Sequence, residues 1–165
     1  MTSLATLALT RPGGSVVYGK PVALTGKAQG IKGPELQQRV DGVWRTVAKP
    51  GATFTYRARL TAPGTFRLTV GKVAGPVLKV PIAPLVHAAR APGAITGSVR
   101  PAAPGAPVEL QRLEGDAWLP VAEGLLDEKS AFRIELALLP GGYRARVAPA
   151  AGFAEGLSGT IRIPG

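Results

Sequence analysis

The sequence predicts an all-β chain of two tandem antiparallel β-sandwich domains, residues 1–82 and 84–165. Three observations predict it. Pro140-Gly141-Gly142-Tyr143-Arg144-Ala145-Arg146-Val147 has an echo 77 positions earlier, Pro63-Gly64-Thr65-Phe66-Arg67-Leu68-Thr69-Val70. Each copy is a Pro-Gly turn that opens a strand with an aromatic residue. Alternation then puts Tyr143, Ala145 and Val147 on one face and Arg144 and Arg146 on the other. Short alternating runs also recur between turn signals every 8–12 residues or so, with no convincing helix. Finally, Gly and Pro, 22 and 16 of 165 residues, exceed a fifth of the chain. With 45% apolar residues, that balance suits many short strands and tight turns rather than disorder.

Taken in order, Leu4 to Thr10 reads as a first edge strand, Arg11-Pro12-Gly13-Gly14 as a turn, and Ser15 to Tyr18 as a continuation of that edge. Val22 to Ala28 is a strand with Val22 and Leu24 inward. Glu35 to Val40 follows Gly33-Pro34, and Asp41-Gly42 is a hairpin signal that sends Trp44 to Ala48 back. Thr53 to Leu60 is the cleanest strand, with Phe54, Tyr56, Ala58 and Leu60 inward and Thr55, Arg57 and Arg59 outward. The Phe66 strand and Val77 to Ile82 complete the first domain. Pro81, Pro84 and the small residues between them mark a boundary.

The second half repeats this order. Ile95-Thr96-Gly97 matches Leu24-Thr25-Gly26, and Pro107-Val108-Glu109-Leu110-Gln111 matches Pro34-Glu35-Leu36-Gln37 in outline. Asp116-Ala117-Trp118 matches Gly42-Val43-Trp44. Phe132, Ile134, Leu136 and Leu138 match Phe54, Tyr56, Ala58 and Leu60, and Leu157 to Ile163 is the last strand. Matched placement predicts that Trp44, Phe54, Phe66, Trp118, Phe132 and Tyr143 are all mostly buried.

The run from a Thr-Gly strand, through Val-Glu-Leu-Gln and a Trp after a Gly/Asp turn, to Leu-Pro-Gly-Gly-Tyr resembles bacterial immunoglobulin-like and fibronectin-III-like repeats. Gly97-Ser98-Val99, Gly105-Ala106-Pro107-Val108 and Pro140-Gly141-Gly142-Tyr143 also resemble carboxypeptidase-regulatory-like domains. The resemblance implies two tandem antiparallel Ig-like β-sandwich domains. It further implies that Tyr143 makes a tyrosine corner, whose hydrogen bond Phe66 lacks. Such motifs are structural, and the fold they imply serves as spacer, adhesin, carbohydrate binder or virion decoration.

Composition narrows the chemistry. There is no Cys, so no disulfide or thiolate metal site, and no Asn, so no N-glycosylation sequon. With a single Met, this is the pattern a thermophile's avoidance of labile residues produces; codon bias in a GC-rich genome produces the same one. No apolar run approaches the roughly 20 residues of a membrane span. His87 is the sole histidine and has no nucleophile-elbow motif beside it. Asp127-Glu128 is the sole adjacent acid pair and reads as a loop rather than a calcium site. No Gly-rich sequence fits a phosphate loop. No catalytic residue, cofactor or metal site is therefore expected.

Trp44 and Trp118 read as residues packed against the sandwich rather than as sugar-stacking platforms. The feature with functional direction is charge. The chain carries +10, with twelve Lys/Arg against two acids in residues 1–82 and eight against eight in residues 83–165. All of the excess sits in the first domain, where Arg57, Arg59, Arg67, Arg39 and Arg45 are candidate polyanion-binding residues. Arg67 belongs to a different strand, expected in the opposite sheet, so the charge wraps the domain, and no aromatics interleave with it on an exposed face. That disfavours sequence-specific nucleic-acid readout. The expected role is that of a non-enzymatic structural or interaction protein on the exterior of a bacterial cell or assembly, with a protein or anionic polymer surface as partner. Alternatives are a phage virion component and a carbohydrate-binding accessory module of a secreted enzyme.

Overall fold

The computed structural model describes residues 6–165, and every regular element among them is a strand. The chain divides into two compact units, one ending at Ile82 and one spanning Ala83–Gly165. The first unit contains β1 (Thr6–Thr10), β2 (Val16–Val17), β3 (Pro21–Gln29), β4 (Glu35–Val40), β5 (Val43–Ala48), β6 (Thr53–Arg59), β7 (Gly64–Val70), β8 (Val73–Ala74) and β9 (Leu78–Val80). A two-residue β10 (Ile82–Ala83) falls on the boundary. The second unit contains β11 (Leu85–Ala91), β12 (Ala94–Arg100), β13 (Pro107–Glu114), β14 (Ala117–Leu125), β15 (Ala131–Glu135), β16 (Gly141–Val147), β17 (Gly156–Leu157) and β18 (Ile161–Ile163).

Both units use one plan, with every registered pairing antiparallel. In the first, one sheet runs β1-β3-β6 and the other β5-β4-β7, with β8 and β9 on the far side of β7. In the second, one sheet runs β11-β12-β15 and the other β14-β13-β16, with β17 and β18 on the far side of β16. In each domain the fourth main strand pairs the third, giving a three-stranded sheet packed on a five-stranded one whose last two short strands share one edge. Constant immunoglobulin domains instead place that strand in the sheet of the first two.

Inward positions on the two sheets supply each core. Val22, Leu24, Leu36, Phe66, Leu68 and Val80 are buried in the first domain, and Val86, Ile95, Val108, Leu110, Phe132, Tyr143 and Ile163 in the second. The repeated Thr-Gly pair has a packing reason. Gly26 lies opposite Phe54 and Gly97 opposite Phe132 in the ladders, and the end of each ring covers its glycine, where a Cβ would overlap it. An aromatic covering a cross-strand glycine restores the packing that the missing side chain gives up.

The proposed start of the first strand at Leu4 lies outside the described residues. The structure changes three expectations. The Ser15–Tyr18 segment does not extend β1. Instead Val16 N donates to Pro81 O at 3.1 Å, tying β2 to the end of the domain. The Leu157–Ile163 strand is broken, because Ser158 enters the ladder through its side chain. Its N donates to Ala145 O, and its Oγ accepts from Ala145 N at 2.9 Å. Finally, Phe66, Phe132 and Tyr143 are buried as expected, but Phe54 is half-buried, although β6 and the β15 of Phe132 are both edge strands, and both tryptophans sit on the outside of their sheets.

The Tyr143 hydroxyl accepts a hydrogen bond from Leu139 N at 3.1 Å, closing the β15–β16 corner. Phe66, at the matching place, has no such group. Tyr143→Phe leaves a part-buried N–H without its partner, at a cost of about 1–2 kcal/mol. We expect a fall in Tm of several degrees, measured by calorimetry; an unchanged Tm would show that Leu139 N is satisfied by water.

Candidate functional site

The outward positions of the five-stranded sheets carry the same side-chain ladder twice. In the first domain Arg39 lies opposite Trp44 and Gln37 opposite Arg67. The Arg67 guanidinium stacks 4.2 Å from the Trp44 ring centroid, and its Nε donates to Gln37 Oε1 at 2.9 Å. In the second domain Arg144 stacks 4.4 Å from the Trp118 centroid and donates to Gln111 Oε1 at 2.7 Å. The tryptophans are therefore neither core residues nor free platforms: each is covered on the sheet surface by an arginine from two strands away. A cation–π pair of this kind stabilises by about 0.5–1 kcal/mol when exposed. The expectation that no aromatic interleaves with the basic residues on an exposed face is corrected at Arg67, whose charge is already engaged.

The second domain extends the ladder. Gln111 Nε2 donates to Glu109 Oε1 at 2.6 Å, and Arg146 Nε donates to Glu155 Oε2 at 2.6 Å with its Nη1 3.9 Å from Glu109. The Glu155 hydrogen bond raises the Arg146 pKa above its ordinary value against a lowering by desolvation, with smaller attractions from Glu155 and Glu109. In the first domain Thr69 stands in place of Arg146, and Glu35 instead accepts from Thr46 Oγ1 at 2.9 Å and lies 3.5 Å from Lys49. These pairs are largely solvated and contribute about 0–1 kcal/mol each. The signal that could have located the ladder was on hand: Gln37/Gln111 and Trp44/Trp118 share one offset, and both arginines follow the Pro-Gly turn.

The acid pair and the histidine take ordinary places. Asp127 Oδ1 accepts from Lys129 N at 2.8 Å and Ala131 N at 2.9 Å, which makes the loop a side-chain-capped turn. Buried Ser130 completes it at a φ of 58°, with Oγ accepting from Ala103 N at 2.8 Å. His87 is exposed on β11. Among the described residues no three His, Asp or Glu side chains are grouped to hold a metal ion, and no helix is long and apolar enough to cross a membrane.

The five candidate arginines separate. Arg39, Arg57 and Arg59 line one cleft of about 560 Å³, shared with Gln38, Val40, Asp41, Tyr56 and Pro63. All three are exposed. Arg45 is exposed on β5 but lies outside this cleft, and Arg67 is stacked on Trp44. The tertiary fold thus brings residues from β4 and β6 together that the sequence separates by about eighteen positions.

No protein-family model matches the chain, and no curated protein matches it significantly. Solved structures align along nearly its whole length. A two-domain fibronectin type III segment of chicken tenascin is 12% identical, covers 96% of this chain and 98% of its own, and gives a TM-score of 0.46. The human OSCAR ligand-binding domain is 17% identical, with 95% and 97% covered and a TM-score of 0.35. A chimeric titin Z1Z2 tandem is 13% identical, with 98% and 100% covered and a TM-score of 0.37. With values this low, the fold rests on the strand orders above, which make the chain a tandem of immunoglobulin-like, fibronectin-III-like β-sandwiches.

Proposed function

We propose that this chain is a non-enzymatic structural and interaction protein, displayed on the exterior of a bacterial cell or assembly, whose first domain attaches to an anionic polymer surface. The observation that carries this reading is the charge partition: the first domain holds the whole +10. Among the described residues most of its basic side chains lack carboxylate partners, whereas four of the five ion pairs belong to the second domain. Attraction of this type reads charge density rather than sequence and is screened within about 10 Å at 0.1 M salt.

Arg57→Glu/Arg59→Glu in the full chain should elute from heparin at clearly lower salt than the parent. The matched change in the second domain, Arg90→Glu/Arg162→Glu, alters net charge equally and should shift elution much less. Parent retention should fall steeply between about 50 and 200 mM salt. Equal shifts for the two double variants would reduce the charge to a solubility device, leaving a plain spacer.

A further inference from the structure

The two domains share one plan but differ at the mouth between their sheets, beside the fifth main strand. In the second domain that mouth is plugged from within. Arg112 lies on the inward row opposite Tyr143, donating Nη1 to Glu114 Oε1 at 2.6 Å and Nη2 to Pro140 O at 3.0 Å. Strand β14 also continues to Leu125 and lays Gly124 against β15, where an added Cβ would stand 3.0 Å from Ile134 Cγ1. The aromatic of β15, Phe132, is 5% exposed.

In the first domain the plug is missing. Gln38 stands opposite Phe66 as Arg112 stands opposite Tyr143, and Val40 replaces Glu114. Strand β5 ends at Ala48. The result is the cleft of about 560 Å³, with Val40 37% exposed although it lies on the inward row. One wall is β6, which pairs β3 on one side; among the described residues no strand pairs its other edge. Tyr56 and Ala58, on the inward side of β6, are only half-buried. Arg39, Arg57 and Arg59 flank the opening, none with a carboxylate within ion-pair distance among the described residues. In the second domain Glu135 occupies the place of Arg57.

We propose that this cleft docks an extended acidic peptide of a partner protein, which adds to the open edge of β6 as a further strand. An unpaired strand edge presents N–H and C=O groups at a repeat that only another polypeptide backbone matches. A peptide's alternate side chains would enter the cleft over Tyr56 and Ala58, as strand periodicity requires. Its carboxylates would meet the guanidinium forks of Arg57 and Arg59, supplying from outside the counter-charge that Glu114 supplies to Arg112 from inside. A polysaccharide offers the carboxylates without the backbone repeat. The site goes beyond charge-driven attachment to a polymer and does not depend on it.

The test measures fluorescence anisotropy of the full chain with a labelled peptide of alternating Val and Glu. A second peptide is N-methylated at alternate residues, keeping its charge but losing the edge hydrogen bonds. The N-methylated peptide should bind about tenfold more weakly or worse, since it forfeits several bonds at once. Gln38→Arg/Val40→Glu transplants the plug without changing net charge. It should weaken peptide binding by about tenfold. No binding of the parent to the alternating peptide, equal binding of the N-methylated one, or full displacement by polygalacturonate at equal carboxylate concentration would overturn the docking site. Each of those leaves polymer attachment standing, whereas loss of the heparin difference removes that attachment and leaves the peptide comparison intact. Should the plugged variant fail to fold, the two peptides on the parent still decide.

Discussion

Gly97→Ala is expected to destabilise the second domain by about 2 kcal/mol, although a Gly→Ala change in a strand would ordinarily help. Restricting the unfolded chain favours alanine by about 0.4–1 kcal/mol. At Gly97 the added Cβ meets the backbone oxygen of His87 and stands 2.5 Å from Phe132 Cζ, so neighbouring strand and ring must both shift. Overpacking of that kind costs about 1–3 kcal/mol and outweighs the entropic gain. For a domain of this size the Tm should fall by roughly 8–16 °C, read by calorimetry. The matched change Gly26→Ala should cost about 1 kcal/mol or less, because it meets only the end of a half-buried ring that can swing outward. A parent-like melt for Gly97→Ala would mean that Phe132 does not lie over that glycine.

Phe132→Ala should remove about 3–5 kcal/mol, a large share of the stability of a small domain. The ring is 5% exposed, covers Gly97 and packs among Val99, Ile134 and Tyr143 in one core. Phe54→Ala, its counterpart, should cost only about 1–2 kcal/mol, because a half-buried ring gives up less apolar area. Sequence matching alone would assign these two residues equal weight. Chemical denaturation of both variants, with the m-value checked for constancy, separates the two readings. Equal losses would show that the first domain covers Phe54 as fully as the second covers Phe132, and the open mouth beside β6 would then be closed in solution.

Those paired differences mark the division between what is legible in the sequence and what is not. Period-two alternation, Pro-Gly turns and the echo of the Phe66 strand in the Tyr143 strand are local signals, and they located β2 to β7 to within a residue or two, while β11 at the start of the second domain was not read. The Thr-Gly, Glu-Leu-Gln and Trp matches identified the duplication, and the uneven charge is a count that no fold alters. Alternation says which residues share a face but not what covers that face. The placement of Trp44 and Trp118 outside their sheets follows from hairpin register, in which Arg39 pairs Trp44 and Leu113 pairs Trp118. A register step of one residue moves a side chain from core to surface. The break at Ser158 depends on a hydroxyl reaching a backbone amide on a neighbouring strand. The gathering of Arg39, Arg57 and Arg59, the withdrawal of Arg67 onto Trp44, and the closing of one mouth by Arg112 where Gln38 leaves the other open all depend on which strand ends lie side by side. The sequence by itself determined the sandwich, its duplication and the seat of its charge. Only the tertiary structure decided which of those charges remain free, because pairing across strands is set by register and packing between residues distant in the chain.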